Sequence, residues 1–391
     1  MSNRNYDIII AGAGASGLTL LWYLLQSDVL ADLSILLIDQ KLEADNSKTW
    51  CFWEDETFPI PELIHHTWES LEVKTPNNIY SEKLNRYKYH CIRSIDYSAA
   101  ILEMAKNDGR VDLLETSIKN FSCKNGRGIV ETVDGEFSAD WIFQSVLPPP
   151  GFEKAKVDIS LLQHFVGWEI EAESEIFNPE RAVFMDFVLP QKNGVTFMYV
   201  LPFSKKRALV EYTLFTEDLL TNEEYEAELK TYLEKNYHLT SPQFKIIRRE
   251  QGAIPMEDRS ISTAYCEKVM NLGMAGGFTK PSTGYTFRRI HKRCRKICEA
   301  LEKNKTMPIH QVSSYRFRVY DMLLLYLLKN DLKASLKIFD DLFKKNRFDR
   351  VLQFLDEKTS FLQELAIISK FSWMPFFKSI YKMKHRIFTG A

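Results

Sequence analysis

The chain has 391 residues, a formal net charge of −1 and an ordinary hydrophobic content of 45%. That length accommodates a full core and two or three connected lobes, and the balanced charge gives no reason to expect a nucleic-acid partner. The counts of Phe (26), Tyr (17) and Trp (7) make it aromatic-rich, which suits an aromatic core or the lining of a long apolar pocket.

Its six cysteines are scattered, and the two that are close, Cys294 and Cys298, stand one helical turn apart. Neither a disulfide framework nor a metal site is expected, and a reducing cytoplasm is. No basic-then-apolar leader precedes the first strand, so no cleaved signal is expected. The longest apolar run, 322–328, is far shorter than a membrane span.

Residues 6–11 form an apolar-rich strand, after which Gly12, Gly14 and Gly17 turn the chain into a helix over 18–25. Gly12 permits a tight turn, Gly14 lets the main chain approach a pyrophosphate, and Gly17 lets helix and strand pack closely. The helix amino terminus offers N–H groups and a positive dipole end to phosphates. A second apolar run, 33–38, ends on Asp39, whose carboxylate can accept both ribose hydroxyls of an adenosine. Glycines alone are weak evidence; strand, turn, helix, second strand and terminal acid in this order predict a bound dinucleotide.

Further along, a helix begins near Asp96, its expected cap. Residues 126–143 read as strands around the turn Asp134-Gly135, and Pro148-Pro149-Pro150-Gly151 ends the lobe. Between 165 and 215 the apolar period becomes two, with strands over 165–170, 182–189, 195–201 and 208–215. A helix over 223–237, a short strand at 251–255 and a core strand at 269–272 lead into a second glycine-rich turn, Gly273 to Tyr285. Its main-chain N–H groups, around Gly276, Gly277, Pro281 and Gly284, can face an anion or a flavin ring. A basic helix follows to about 301, and the remainder is helical, basic and aromatic.

This order predicts an α/β fold: a Rossmann-like FAD-binding domain with an inserted antiparallel β-sheet substrate domain and a helical C-terminal region. The expected FAD-binding domain is discontinuous (1–75, 92–150 and 251–301), the substrate domain comprises 76–91 and 151–250, and the helical region is 302–391.

Several stretches together resemble the flavin-dependent lycopene cyclases of the bacterial β-cyclase branch. They are residues 7–17, Thr49-Trp50-Cys51-Phe52-Trp53-Glu54-Asp55, Phe184-Met185-Asp186-Phe187, and Leu201-Pro202-Phe203-Ser204 with Leu209-Val210-Glu211-Tyr212-Thr213. Gly252-Ala253-Ile254-Pro255-Met256 and the turn from Gly276 to Tyr285 complete the set, in order over roughly residues 5–290. Met274 stands where large FAD hydroxylases carry an Asp, which argues against an ordinary aromatic hydroxylase.

The resemblance implies a linear C40 polyene, lycopene, cyclised to β-ionone rings without net redox change, with reduced FAD in the site and NADPH as its reductant. It implies Glu211 as the essential carboxyl, an acid or a stabiliser of the developing cation. Glu54 and Asp55, adjacent in an apolar loop, are candidates for the complementary acid–base role or for placing the flavin, because buried carboxylates are costly without partners. Asp186 alternates onto the face opposite its neighbours, which reads as solvent-facing. A flavin monooxygenase or a geranylgeranyl-reductase-like enzyme acting on a lipid would share the fold, and product mass separates the three.

From residue 370 onward Lys370, Lys378, Lys382, Lys384 and Arg386 alternate with Phe371, Trp373, Met374, Phe376, Phe377, Ile380, Tyr381 and Phe388, and no acid intervenes. Basic residues among aromatics suit an interfacial segment, so the expectation is a peripheral protein on the cytoplasmic face of a membrane.

Overall fold

A computed structural model describes residues 5–303, 307 and 313–389; the side chain of Phe388 lies outside the described residues. The chain opens with β1 (Asn5–Ala11), α1 (Ala15–Leu25) and β2 (Ile35–Asp39), followed by β3 (Thr49–Glu54), β4 (His66–Trp68), β5 (Ser70–Lys74), β6 (Ile79–Lys83) and β7 (Lys88–Arg93). Then come α2 (Ser94–Asn107), β8 (Val111–Glu115), β9 (Ile118–Lys124), β10 (Arg127–Thr132) and β11 (Glu136–Gln144). The second half begins with β12 (Ser160–Ala172), β13 (Arg181–Asp186), β14 (Val195–Pro202), β15 (Arg207–Thr216), α3 (Asn222–Tyr237) and β16 (Phe244–Glu257). It closes with β17 (Ala264–Cys266), β18 (Val269–Asn271), α4 (Phe287–Glu302), α5 (Tyr315–Asn330), α6 (Leu332–Lys345), α7 (Phe348–Leu355), α8 (Phe361–Ile368) and α9 (Trp373–Thr389).

Two sheets carry the architecture. In the first, β18, β11, β1, β2 and β8 lie side by side and parallel, the arrangement that buries both faces and accounts for the nearly continuous apolar runs of β1 and β2. α1, α2 and α4 cover one face through a core that includes Ile8, Leu21, Ile101 and Ile297. The second sheet runs β16-β12-β15-β14-β13-β5-β6 and is antiparallel except where β5 lies parallel to β13. α3 packs on one face of it, through Trp168, Val210 and Leu229. The other face meets the C-terminal helices through a core that includes Phe184, Phe187, Leu325 and Phe339. A small sheet, β3-β7-β4, stands between the two.

Three local expectations are corrected. The strand foreseen at 251–255 is the end of the 14-residue β16, which pairs along all of β12. As the edge strand it carries charges such as Lys245, Arg248, Arg249 and Glu250, and these hide the apolar alternation. Arg93 occupies the position before α2 and gives it no side-chain cap, and Asp96 sits in the first turn, ion-paired to Arg93 at 2.7 Å. Cys123 of β9 and Cys266 of β17, which are 143 positions apart, form a disulfide that spacing did not disclose.

Candidate active site

The first glycine turn is built as its spacing requires. A Cβ on Gly17 would fall 1.8 Å from the Gly12 carbonyl oxygen, so α1 seats against the turn only with glycine there. A Cβ on Gly14 would meet nothing within 4 Å, leaving the turn open on the side a ligand would approach. α1 has neither a side-chain cap nor an acidic residue in its first turn, so its amino terminus keeps its positive end uncompensated by the chain. Asp39 ends β2 with one carboxylate oxygen accepting from the Ala13 N–H at 2.5 Å, which fixes the acid beside the turn. Open glycine, bare helix end and rim carboxylate together fit the diphosphate and ribose of a dinucleotide.

The second glycine turn leans on the first: a Cβ on Gly273 would fall 2.5 Å from Ser16 Oγ. Gly284, with φ of +72°, brings the turn against Gln163 of β12 and thereby joins it to the second sheet. Gly276, Gly277 and Pro281 line a cavity of about 340 Å³ on one side of this turn, and Met274 is half-exposed there.

On the other side lies a larger cavity of about 500 Å³. It begins at Gly14, Ala15 and Ser16, passes Trp50 and Cys51 of β3, and ends on the second sheet among Phe165, Phe197, Tyr199 and Phe215. Trp50 stacks on Phe287 at 5.2 Å, and Tyr285 closes the wall against Trp53 at 4.6 Å.

Two carboxyls meet at the sheet end. Glu211 on β15 and Glu250 on β16 both register with Gly167 on the intervening β12. A Cβ on Gly167 would lie 3.4 Å from Glu211 Cβ and 3.3 Å from Glu250 Cγ. With no side chain between them, the two carboxyls hydrogen-bond to each other over the glycine. Thr213, two residues along the same face, donates to Glu211 at 2.9 Å. Glu250 Oε2 accepts from Thr49 Oγ1 at 2.8 Å and from Arg248 Nη1 at 2.5 Å, and Arg248 is itself paired with Glu169 at 2.9 Å. Burial, and then the charge of Glu250, push the Glu211 carboxyl up to about 8. Burial also raises Glu250, but Arg248 and Thr49 pull it back. Burial and the facing carboxyl thus favour the neutral form of Glu211 near neutral pH.

The remaining acids of the resemblance lie elsewhere. Glu54 and Asp55 do not line the Glu211 cavity. They form ion pairs with Arg288 of α4, at 2.9 Å for Asp55, and Asp55 also meets Arg86 at 2.7 Å and Lys358 at 2.6 Å. Burial alone would raise Asp55, but its bonds to Lys358 and Arg86 outweigh that and hold it well below the usual carboxylate range. Asp186 is fully buried rather than solvent-facing: it accepts from Tyr232 Oη of α3 at 2.7 Å and from the Val188 N–H at 2.9 Å. Sequence reading missed Glu250, whose position just before the Gly-Ala-Ile-Pro stretch was its one local signal.

The chain thus combines an α/β domain bearing a dinucleotide-type turn with an antiparallel sheet, and the apolar cavity between them ends in a buried acid. Among solved structures the chain is similar to a geranylgeranyl bacteriochlorophyll reductase-like protein from Thermoplasma acidophilum, with a TM-score of 0.57, 14% identity, and 99% of this chain and 98% of that one covered. It is also similar to p-nitrophenol 4-monooxygenase from Pseudomonas putida (TM-score 0.59, 11% identity, 94% and 98% covered) and to a flavin-dependent brominase (0.56, 11%, 98% and 100%). At these identities the likeness is one of fold. The sequence profile of the lycopene cyclase proteins matches residues 7–382, and the chain belongs to that family. Its relatives include the lycopene beta-cyclase of Pantoea ananas, 28% identical over 298 residues, 72% of this chain and 71% of the relative. The chloroplastic lycopene beta cyclase of Arabidopsis thaliana is 23% identical over 376 residues, 86% and 72% of the two chains.

Proposed function

We propose that this protein is a lycopene β-cyclase that closes the ψ-ends of lycopene, and of related linear carotenoids, to β-ionone rings. The observation that carries this reading is Glu211, held as a neutral acid at the apolar end of a cavity that begins at the dinucleotide turn. An alkene is a feeble base, so its proton donor must be uncharged and shielded from water at working pH. Glu211 gives its proton to C2 and leaves a tertiary cation at C1. The C5=C6 electron pair closes the ring, and the C6 proton returns to the Glu211 carboxylate, leaving the β double bond. Atoms and electrons balance with no oxidant. The faces of Phe165, Phe197 and Tyr199 surround the reacting end and favour positive charge.

Gly12, Gly14, Gly17 and Asp39 would hold the adenosine diphosphate part of FAD, and Gly276, Gly277, Pro281 and Gly284 would meet its ring portion. When bound and reduced, with NADPH as the reductant, the flavin would supply negative charge to offset the developing cation. Glu54 and Asp55 take a positioning role in this reading, tying β3 to α4 and to Lys358 beyond α7.

Lycopene dissolves in bilayers, so the enzyme docks on the anionic inner face of the membrane. Among the described residues no helix is long and apolar enough to span it. The outward face of α9 supports docking: Met374 is 76% exposed, Phe377 58% and Tyr381 67%, beside exposed Lys378, Lys382 and Lys384. Phe376 and Arg386, grouped with these by sequence, face inward. Phe376 stacks on Phe371, and Arg386 is buried on Asp258 at 3.1 Å. Expression in a lycopene-accumulating bacterium tests the reading. A red culture turning orange-yellow, with pigment of unchanged mass, is expected. Added oxygen would identify a monooxygenase, and added hydrogen a reductase.

A further inference from the structure

Of the buried side-chain polar atoms that find no hydrogen-bond partner among the described residues, two line the Glu211 cavity: Gln163 Oε1 and Thr283 Oγ1. Gln163 comes from β12 of the second sheet and Thr283 from the second glycine turn. Thr283 precedes Gly284, whose missing side chain lets Gln163 reach the turn, since a Cβ there would fall 2.2 Å from Gln163 Oε1. The neighbouring hydroxyls are occupied: Ser282 donates to Asp321 at 2.6 Å and Thr286 to the Gly284 carbonyl at 2.9 Å. A buried polar group left without a partner costs free energy that a bound ligand can recover. A linear polyene has no polar atom to offer, so the substrate cannot satisfy either group, whereas the edge of a polar ring can.

We propose that Gln163 and Thr283 recognise the flavin ring, the Gln163 amide and the Thr283 hydroxyl meeting its pyrimidine edge. The proposal rests on the flavin reading of the site and not on which carboxyl moves the proton. That edge presents a ring N–H between two carbonyl oxygens. A carboxamide carries an acceptor and a donor side by side, so Gln163 takes the N–H and one carbonyl together, and the Thr283 hydroxyl donates to the other carbonyl. The first glycine turn holds the diphosphate half in this reading, so the two residues act on the ring half alone. They also set where the ring lies. Gln163 and Phe165 line the cavity from one face of β12, and Gly167, next on that face, registers with Glu211 and Glu250. From Gln163 to Gly167 is about 13 Å at the ordinary strand rise. A ring edge at Gln163 and the carboxyl pair over Gly167 thus leave the space over Phe165 for the ψ-end, with the flavin at one end of it and the acid at the other.

Full-length protein freed of flavin and titrated with three ligands provides the test: FAD, 3-methyl-FAD, whose ring edge lacks the N–H, and ADP-ribose, which has no flavin ring. The parent should bind FAD at least tenfold more tightly than 3-methyl-FAD. Gln163→Leu should bind FAD about tenfold more weakly than the parent, lose the preference over 3-methyl-FAD and keep its affinity for ADP-ribose, which also reports an intact first turn. Thr283→Val should weaken FAD a few-fold, again with ADP-ribose unchanged. Equal affinity of the parent for FAD and 3-methyl-FAD would overturn the proposal, and that comparison stands even if Gln163→Leu fails to fold. A folded Gln163→Leu protein that still prefers FAD would overturn it as well, and parent-like FAD binding in Thr283→Val would remove the hydroxyl from it. FAD held no more tightly than ADP-ribose by the parent would instead remove the flavin reading beneath it.

Discussion

Replacing Glu211 by Gln should separate stability from activity, and the pH dependence identifies the cause. The Glu211 carboxyl is pushed from an ordinary 4.5 up to about 8 in the folded protein. Between those values the native state binds a proton that the unfolded chain has released. The contribution of Glu211 to stability is thus fully present below pH 4.5 and is lost as pH rises through about 8. Glutamine does not titrate, and its amide still donates to Glu250. The difference in unfolding free energy, Glu211→Gln minus parent, should therefore climb with pH across this window and level off above it. The ceiling is about 1.4 kcal/mol per pH unit, or roughly 5 kcal/mol in all, and sharing of the proton with Glu250 lowers it. Denaturant melts of both proteins from pH 5 to pH 9 measure it, because titrations common to the two cancel. Ring closure should meanwhile be slowed by about 3–4 kcal/mol of barrier, a hundredfold or more, with flavin content retained. A difference in stability that stays flat with pH would refute the neutral buried acid, whatever the activity does.

Gly14→Val should fold normally and lose FAD, because its side chain enters open space that the ligand needs, whereas Gly17→Ala should lose stability by about 1–3 kcal/mol or more through overlap with the Gly12 carbonyl. Flavin absorbance per mole of protein, read beside the thermal midpoint, distinguishes the two outcomes. Arg288→Met should destabilise by about 3–5 kcal/mol by removing the buried guanidinium that Glu54, Asp55 and Asp356 share, which leaves Asp55 to Arg86 and Lys358 and Asp356 to Lys292, and the loss should be smaller in acid, where protonation of Glu54 relieves it. Melts at pH 7 and pH 4 check this, and an unchanged midpoint at pH 7 would exclude the cluster as a structural tie. Met374→Ser with Phe377→Ser should release the protein from anionic vesicles in flotation while flavin content and fold persist. Removing the whole segment after 370 would also strip the buried Met383 and Arg386 from the core, so point variants are the clean measurement.

What could be read along the chain is what depends on near neighbours. The first glycine turn, its helix and Asp39 lie close in sequence, and glycine there answers to backbone clearance, so the turn and its helix were legible from residues 6–39. The parallel strands showed as unbroken apolar runs and the second sheet as alternation, which sufficed for the α/β class with an inserted sheet. Glu211 stood out through the motif around it. Its environment did not, because Glu250 is 39 positions away and reaches Glu211 only through the register of two strands against Gly167. The same logic governs the other acids and bases. Whether a carboxylate becomes a proton donor or an ion-pair anchor depends on which partner the fold brings to it. Burial and the charge of Glu250 raise Glu211, while Lys358, Arg86 and Arg288 hold Asp55 ionised. Asp186 found Tyr232, Arg386 found Asp258, and Cys123 found Cys266, each across a separation on which local sequence is silent. Sequence by itself determined the backbone turns, the strand and helix periods and the family motifs, because those are set by sterics and alternation within a few residues. Tertiary structure decided the charge state and duty of each buried polar group, because desolvation and Coulomb energies depend on distances that exist only once the sheets have closed.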